Sequence, residues 1–171
     1  MNTVKLNCKR IKKSIAITFH LWYNVIKLNE KERLGMKTML LPTTMNVDEV
    51  MSIEEAMYIL TSNGITFEVM GDVVDGMYKA DNGSIVEEQL VPIKADLTAQ
   101  QLAVLFNQEC ILESDGTTAQ LVAQDGSKWA DFKEKVEYTF DNIKQAIETQ
   151  RQLAIEFGGA SRIGNTVWAW S

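Results

Sequence analysis

The dipeptide Asn82-Gly83 constrains this chain more than any other feature of its sequence. Asn-Gly supplies the positive-φ residues that a tight β-hairpin turn needs, and it lies between two stretches with strand character. Before it, Ile65, Phe67 and Val69 alternate with polar neighbours; after it, Val86, Leu90, Val91 and Ile93 rebuild an apolar strand. Residues 64–96 are therefore expected to fold as two antiparallel arms. Closure at the turn brings Tyr78, on the first arm, level with the carboxylate pair Glu87-Glu88 on the second. Neighbouring residues of a strand point to opposite faces, so the pairing register decides which glutamate shares a face with the phenol.

Charge is divided unevenly. Residues 1–35 carry eight Lys/Arg against two Glu, net +6, whereas residues 36–171 carry nine Lys/Arg against 21 acids, net −12. A body this acidic argues against nucleic acid as a partner, because a phosphate backbone needs a basic surface. Cys8 and Cys110 are the two cysteines and lie far apart, the pattern of a reduced, cytoplasmic protein. The basic leader, KRIKK followed by SIAITFHLWYNVI, imitates a signal peptide, but His20 and Asn24 interrupt its apolar run and it is too short to span a bilayer. It reads as an ordered arm, a disordered tail, or sequence upstream of a natural start at Met36. No membrane partner is expected.

From Met36 onward the elements are punctuated clearly. An apolar strand over residues 39–41 is closed by Pro42, which cannot donate to a sheet ladder. Ser52 and Glu55 have capping-box spacing and begin a helix with Ile53, Ala56, Met57 and Leu60 on its inward stripe; Asn63-Gly64 ends it. Thr98 and Gln101 form a second capping box, ahead of Leu102, Leu105 and Phe106. Residues 110–112 and 119–122 read as strands around an Asp115-Gly116 turn. The order strand, helix, strand, strand, helix, strand predicts an α+β, ferredoxin-like βαββαβ sandwich over residues 36–126, with two helices on one face and the other face bare. Beyond it, Ser127 is expected to cap a long helix. Trp129, Phe132, Val136, Phe140, Ile143, Ile147, Ala154 and Phe157 recur at helical intervals over about eight turns, a rod of roughly 45 Å. Gly158-Gly159 stops it, and the tail with Trp168 and Trp170 is expected to pack back on its own or a neighbouring subunit. Residues 127–171 thus form the third segment, after the leader and the core.

No generic catalytic motif stands out. The one histidine, His20, is in the leader, and there is no glycine-rich phosphate loop, no cysteine cluster and no metal-ligand spacing, so no cofactor or metal is expected. The combination of segments is more specific than any one of them. G-I-T-F-E-V at 64–69, D-G-M-Y-K-A at 75–80, E-E-Q-L-V at 87–91, K-A-D-L-T-A-Q-Q-L-A at 94–103, N-Q-E-C-I-L at 107–112 and T-A-Q-L-V at 118–122 together resemble the phage-encoded enzymes that degrade S-adenosylmethionine. These were long called hydrolases and are better described as lyases.

The resemblance implies cleavage of S-adenosylmethionine to 5′-methylthioadenosine and L-homoserine lactone, in an infected host cell whose methyl-donor-dependent defences would be starved. It implies Tyr78 and Glu88 as catalytic, with Glu87 as the alternative acid and a further substrate-binding residue. It also implies a homotrimer with the site between subunits. Two other classes stay open: a non-catalytic module that binds a small metabolite, and an acidic inhibitor of a host protein. The second needs its acids gathered on one face, yet they are interleaved with lysines, as in Lys133-Glu134-Lys135.

Overall fold

The computed structural model describes residues 36–46 and 49–171; the leader 1–35, with Cys8 and His20, lies outside the described residues. In chain order the elements are β1 (Thr38–Pro42), β2 (Thr44–Asn46), β3 (Glu49–Val50), α1 (Ile53–Ser62), β4 (Phe67–Val69), β5 (Val74–Lys79), β6 (Ile85–Ala95), α2 (Ala99–Leu105), β7 (Cys110–Ser114), β8 (Ala119–Ala123), β9 (Lys128–Phe132), β10 (Lys135–Thr139), α3 (Ile143–Phe157), β11 (Gly159–Ile163) and β12 (Thr166–Trp170).

The hairpin at residues 80–84 forms as its sequence requires. Gly83 takes φ +83°, while Asn82 keeps a negative φ and instead uses its side-chain oxygen to accept from the amide and hydroxyl of Ser84. The arms pair from Val74↔Leu90 to Lys79↔Ile85. β6 is long enough to serve three partners: β5 along its first half, β4 from Phe67↔Ala95 to Val69↔Ile93, and β1 on its other edge from Met39↔Ile93 to Pro42↔Leu90.

Both capping boxes are closed. Ser52 Oγ accepts from the Glu55 amide at 3.1 Å while Glu55 accepts from the Ser52 amide at 2.9 Å, and Thr98 and Gln101 do the same. α1 and α2 lie over one face of the β4–β6–β1–β7 region, where Leu41, Leu60, Ile93, Leu102, Phe106 and Ile111 are fully buried. Each such side chain contributes about 1.5–3 kcal/mol of transfer free energy. α3 covers the same face further along, over Met77, Ala160, Val167 and Ala169.

The architecture is not the expected ferredoxin-like sandwich. The main sheet has 10 strands in the order β10-β12-β11-β5-β6-β1-β7-β8-β9, with β4 beside β6, and every pairing is antiparallel. Its two end strands, β9 and β10, are joined in sequence by Lys133-Glu134 alone. Three Cα–Cα steps hold Phe132 and Lys135 within about 11 Å, so the sheet must curl until its ends nearly meet. The amides of Lys133 and Glu134 donate to the Ser171 carbonyl and pin the junction. The result is a nearly closed barrel with three helices. Ten strands cannot enclose three helices, so the helices sit outside and the helix-free face lines the interior.

The departure begins at residue 127. Ser127 caps no helix; it sits in an Asp125-Gly126 turn between β8 and β9, with Gly126 at φ +84° and Asp125 accepting from the Ser127 amide and hydroxyl. The expected long helix splits into β9, β10 and α3. Asn142 caps α3 and Gly158, at φ +87°, ends it. Its 15 residues make a rod of about 22 Å, half the length expected. Nor does it cover the bare face, since it packs on the face that α1 and α2 also use. The tail is pinned back on its own chain, as strand β12, with Trp170 only 9% exposed.

Candidate functional site

The β5–β6 register separates the two glutamates. Gly76 pairs with Glu88 and Tyr78 with Val86, so Tyr78 and Glu88 are diagonal neighbours on the helix-free face. Met77 pairs with Glu87 on the opposite face, where Met77 enters the core under α3. Glu87 stays exposed there, 3.6 Å from the Arg151 guanidinium of α3. Of the residues singled out in the sequence, the structure therefore brings Tyr78 and Glu88 together and sets Glu87 apart.

Glu88 is half-buried and no cation among the described residues lies within ion-pair distance of it. Burial without a counter-charge raises its carboxyl from an ordinary 4.5 to about 7. Tyr78, 40% exposed, has its phenol raised as well, by burial first and then by the charges of Glu88 and Glu109. Burial, Glu109 and Glu88 push the Cys110 thiol up to about 11. Cys110 is thus a neutral thiol at pH 7 and a poor nucleophile.

Glu109 and Cys110 reach this place because β1 stops early. Pro42, the last residue of β1, pairs with Leu90, two residues beyond Glu88, and β7 starts at Cys110 on the other side of β1. Thr43 then turns away, its amide and hydroxyl both donating to the Gln89 carbonyl at 3.1 Å. The α2–β7 turn that carries Glu109 has Asn107 at φ +51°. Its geometry is fixed by a relay in which the Gln100 amide donates to the Gln124 carbonyl and the Gln124 amide to the Gln108 carbonyl. Nothing in the spacing of residues 107–110 marks them as partners of Tyr78. They became neighbours only through the strand order, which the sequence does not display.

The interior face carries a second feature. Across β12, β11, β5 and β6 the register aligns Trp168, Ser161, Gly76 and Glu88 in one row, and Gly159 pairs with Tyr78 in the next. A Cβ on Gly76 would lie 2.8 Å from Leu90 Cδ1, so Leu90 leans across that glycine. Chemically, the arrangement joins two carboxylates, a phenol and a neutral thiol, with no cation among the described residues in ion-pair reach of Glu88; the Trp168 indole further along the row carries the Lys135 ammonium 5.1 Å from its ring centre. Among the described residues no group of three or more His, Cys, Asp and Glu is placed to hold a metal ion. No helix among the described residues is long and apolar enough to cross a membrane.

Neither a protein-family model, nor a curated protein, nor a solved structure matches this chain.

Proposed function

We propose that the protein is an S-adenosylmethionine lyase, cleaving its substrate to 5′-methylthioadenosine and L-homoserine lactone. The observation that carries this reading is the half-buried Glu88 carboxylate, diagonal to Tyr78 and near Glu109, with no counter-ion among the described residues. An anionic site that holds its own charge only reluctantly is completed by a cationic ligand. S-adenosylmethionine brings an α-ammonium and a sulfonium, and the resemblance of residues 64–122 to the lyases names it among cations.

The chemistry asks little of the protein. The substrate carboxylate attacks its own γ-carbon; a C–O bond forms, the C–S bond breaks, and its electron pair passes to sulfur, which leaves as a neutral thioether. No proton moves in this step, so no general base is required. Glu88 holds the α-ammonium, whose charge is unchanged by the reaction, and Tyr78 orients the chain by its hydroxyl or ring. Keeping the carboxylate near attack distance of the γ-carbon is worth about 7–11 kcal/mol in oriented intramolecular reactions. A trimer belongs to the same proposal, as does a role in an infected cell's cytoplasm; with Glu88 on the interior face, the site of this reading lies within one barrel and not between subunits.

Incubation of the purified protein with S-adenosylmethionine tests the reading directly. Methylthioadenosine and homoserine lactone are the expected products. Intact substrate recovered from a tight complex would instead establish a non-catalytic binding module, and no binding at all would exclude both.

A further inference from the structure

The wall that presents Tyr78 and Glu88 is soft at their level. Gly76 pairs with Glu88, and Gly159 of β11 pairs with Tyr78, so both strands carry a glycine beside the site. A glycine inside a strand packs no side chain and weakens it. On the outer side of the same wall α3 grips these strands. Gln150 is a fully buried amide on a helix face otherwise made of Ala146, Leu153 and Ala154. Its Nε2 donates to the Asp75 carbonyl of β5 at 2.8 Å and to the Ala160 carbonyl of β11 at 3.3 Å, and its Oε1 accepts from Arg162 Nε at 3.1 Å. Arg162 in turn donates to Asp75 Oδ2 at 3.0 Å and to the Gly164 carbonyl at 2.9 Å. A leucine would fill the same space without the cost of burying an amide, so packing alone does not account for Gln150. The C-cap of the helix makes a second hold, since the Gly158 carbonyl accepts from the Lys79 amide at 2.9 Å. These contacts fall at Asp75 and Lys79, the residues that bracket Gly76-Met77-Tyr78. A third lies on β6, where Arg151, the residue after Gln150, meets Glu87, the residue before Glu88.

We propose that Gln150 is a positioning residue: it locks α3 across β5 and β11 and so fixes the Tyr78 phenol against the Glu88 carboxyl on the other face of the wall. The inference rests on the lyase reading for the reaction it serves, and on the hydrogen bonds at Asp75, Ala160 and Lys79 for the hold itself. Gln150 touches no substrate. Successive residues of a strand point to opposite faces, so a twist at Asp75 on the outer side passes to Gly76 and Tyr78 within three residues. Without the amide, Gly76 leaves β5 free to twist, and the phenol departs from the place where it orients the methionyl chain. Intramolecular attack is sensitive to such a shift, because a misplacement of about 1 Å costs up to about a hundredfold in rate. The ammonium keeps its contact with Glu88, so the loss falls on kcat and not on KM.

Gln150→Met keeps the length of the side chain and removes its three hydrogen bonds. It should fold, lower kcat for S-adenosylmethionine by about ten- to a hundredfold and leave KM little changed. Arg162→Lys keeps a cation beside Asp75 but frees the Gln150 oxygen; it should lower kcat by less, and it carries the test if Gln150→Met does not fold. Leu60→Val, a core truncation under α1 and away from these contacts, should lower the melting midpoint and leave kcat unchanged. Titration of the Glu88 carboxyl, followed by carbon-13 NMR, reads the same geometry without turnover. Its midpoint of about 7 should fall in Gln150→Met, as the loosened wall lets water reach the carboxyl, and should stay in place in Leu60→Val. A folded Gln150→Met with wild-type kcat, or with an unmoved Glu88 titration, overturns the proposal while the lyase reading stands. So does a rise in KM at constant kcat, and so does a Leu60→Val protein that loses as much turnover, since stability alone would then explain the effect. A wild-type protein that does not cleave S-adenosylmethionine overturns the lyase reading, and with it any role for Gln150 in that reaction.

Discussion

One step along β6 moves a carboxylate from the outside of the barrel to its interior, and the physical consequences differ accordingly. Glu88 loses water and gains no cation among the described residues, whereas Glu87 keeps its water and lies beside Arg151. Glu88→Gln, which keeps shape and deletes charge, should therefore lose most turnover with the fold intact. Removing one partner of a desolvated charge pair costs about 2–5 kcal/mol, or roughly thirty- to several-thousand-fold in kcat/KM. Glu87→Gln breaks only a solvent-exposed pair, worth up to about 1 kcal/mol, and should leave kcat/KM nearly unchanged. Side-by-side kinetics check the order of the two effects. The raised Glu88 carboxyl also fixes two pH dependences. A carboxyl that titrates at 4.5 unfolded and about 7 folded favours the folded state in its neutral form, so its contribution to stability is complete below 4.5 and is lost as pH rises to about 7. A bound cation favours the ionised form, so ligand affinity should rise with pH through the same window, with proton release on binding below pH 7. Thermal melts and calorimetry in buffers of different ionisation enthalpy read the two trends, and Glu88→Gln should flatten both.

At the scale of elements, what the sequence disclosed and what it hid have separate causes. Capping boxes and the Asn82-Gly83 hairpin are local devices in which each residue satisfies a neighbour within three positions, and all three form where their residues stand. β9 and β10 escaped because Trp129, Phe132, Val136 and Phe140 happen to fall at intervals of three and four. A helical period over so few residues does not outweigh the strand-favouring run Lys135–Thr139, KVEYT, or the Asp125-Gly126 pair that could have announced a hairpin. Tyr78 and Glu88 were legible because a hairpin brings its arms together by local closure. Glu109, Cys110 and the Ser161–Trp168 pair were not, because they approach only across strands distant in sequence. The recovered tail has an energetic consequence. β11 lies between β12 and β5, and its Ala160, with Val167 and Ala169 of β12, completes the core under α3. Removing residues 158–171 should thus abolish the soluble fold and not merely loosen a clasp. Even Trp170→Ala alone should cost about 3–5 kcal/mol, read as a lowered denaturation midpoint. A truncated chain that melts like the full one would refute the placement of both strands in the sheet.

Over residues 36–171 the molecule is an acidic barrel body, net −12, whose interior site offers carboxylates, a phenol and indoles but, among the described residues, no histidine. On the proposed reading, that set of groups favours one of two ways of cleaving S-adenosylmethionine. Hydrolysis at the γ-carbon needs a base to activate water. Burial raises the Glu88 carboxyl to about 7, which leaves the neutral acid well populated at pH 7, and in the proposed complex its charge is engaged by the substrate's ammonium. Attack by the substrate's own carboxylate, already ionised, needs no base and gains from the loss of water around it. Homoserine lactone should then appear first, and free homoserine only as the slower product of lactone opening. Oxygen-18 water distinguishes the routes by position as well as by time. Opening of a lactone puts solvent oxygen on the carboxyl group, whereas direct hydrolysis puts it on the γ-carbon. Early-quenched reactions should show unlabelled lactone, with label confined to the carboxyl of any homoserine that follows. Homoserine labelled on its γ-carbon, formed without a lactone, would mean that water is the nucleophile and that Glu88 serves as its base.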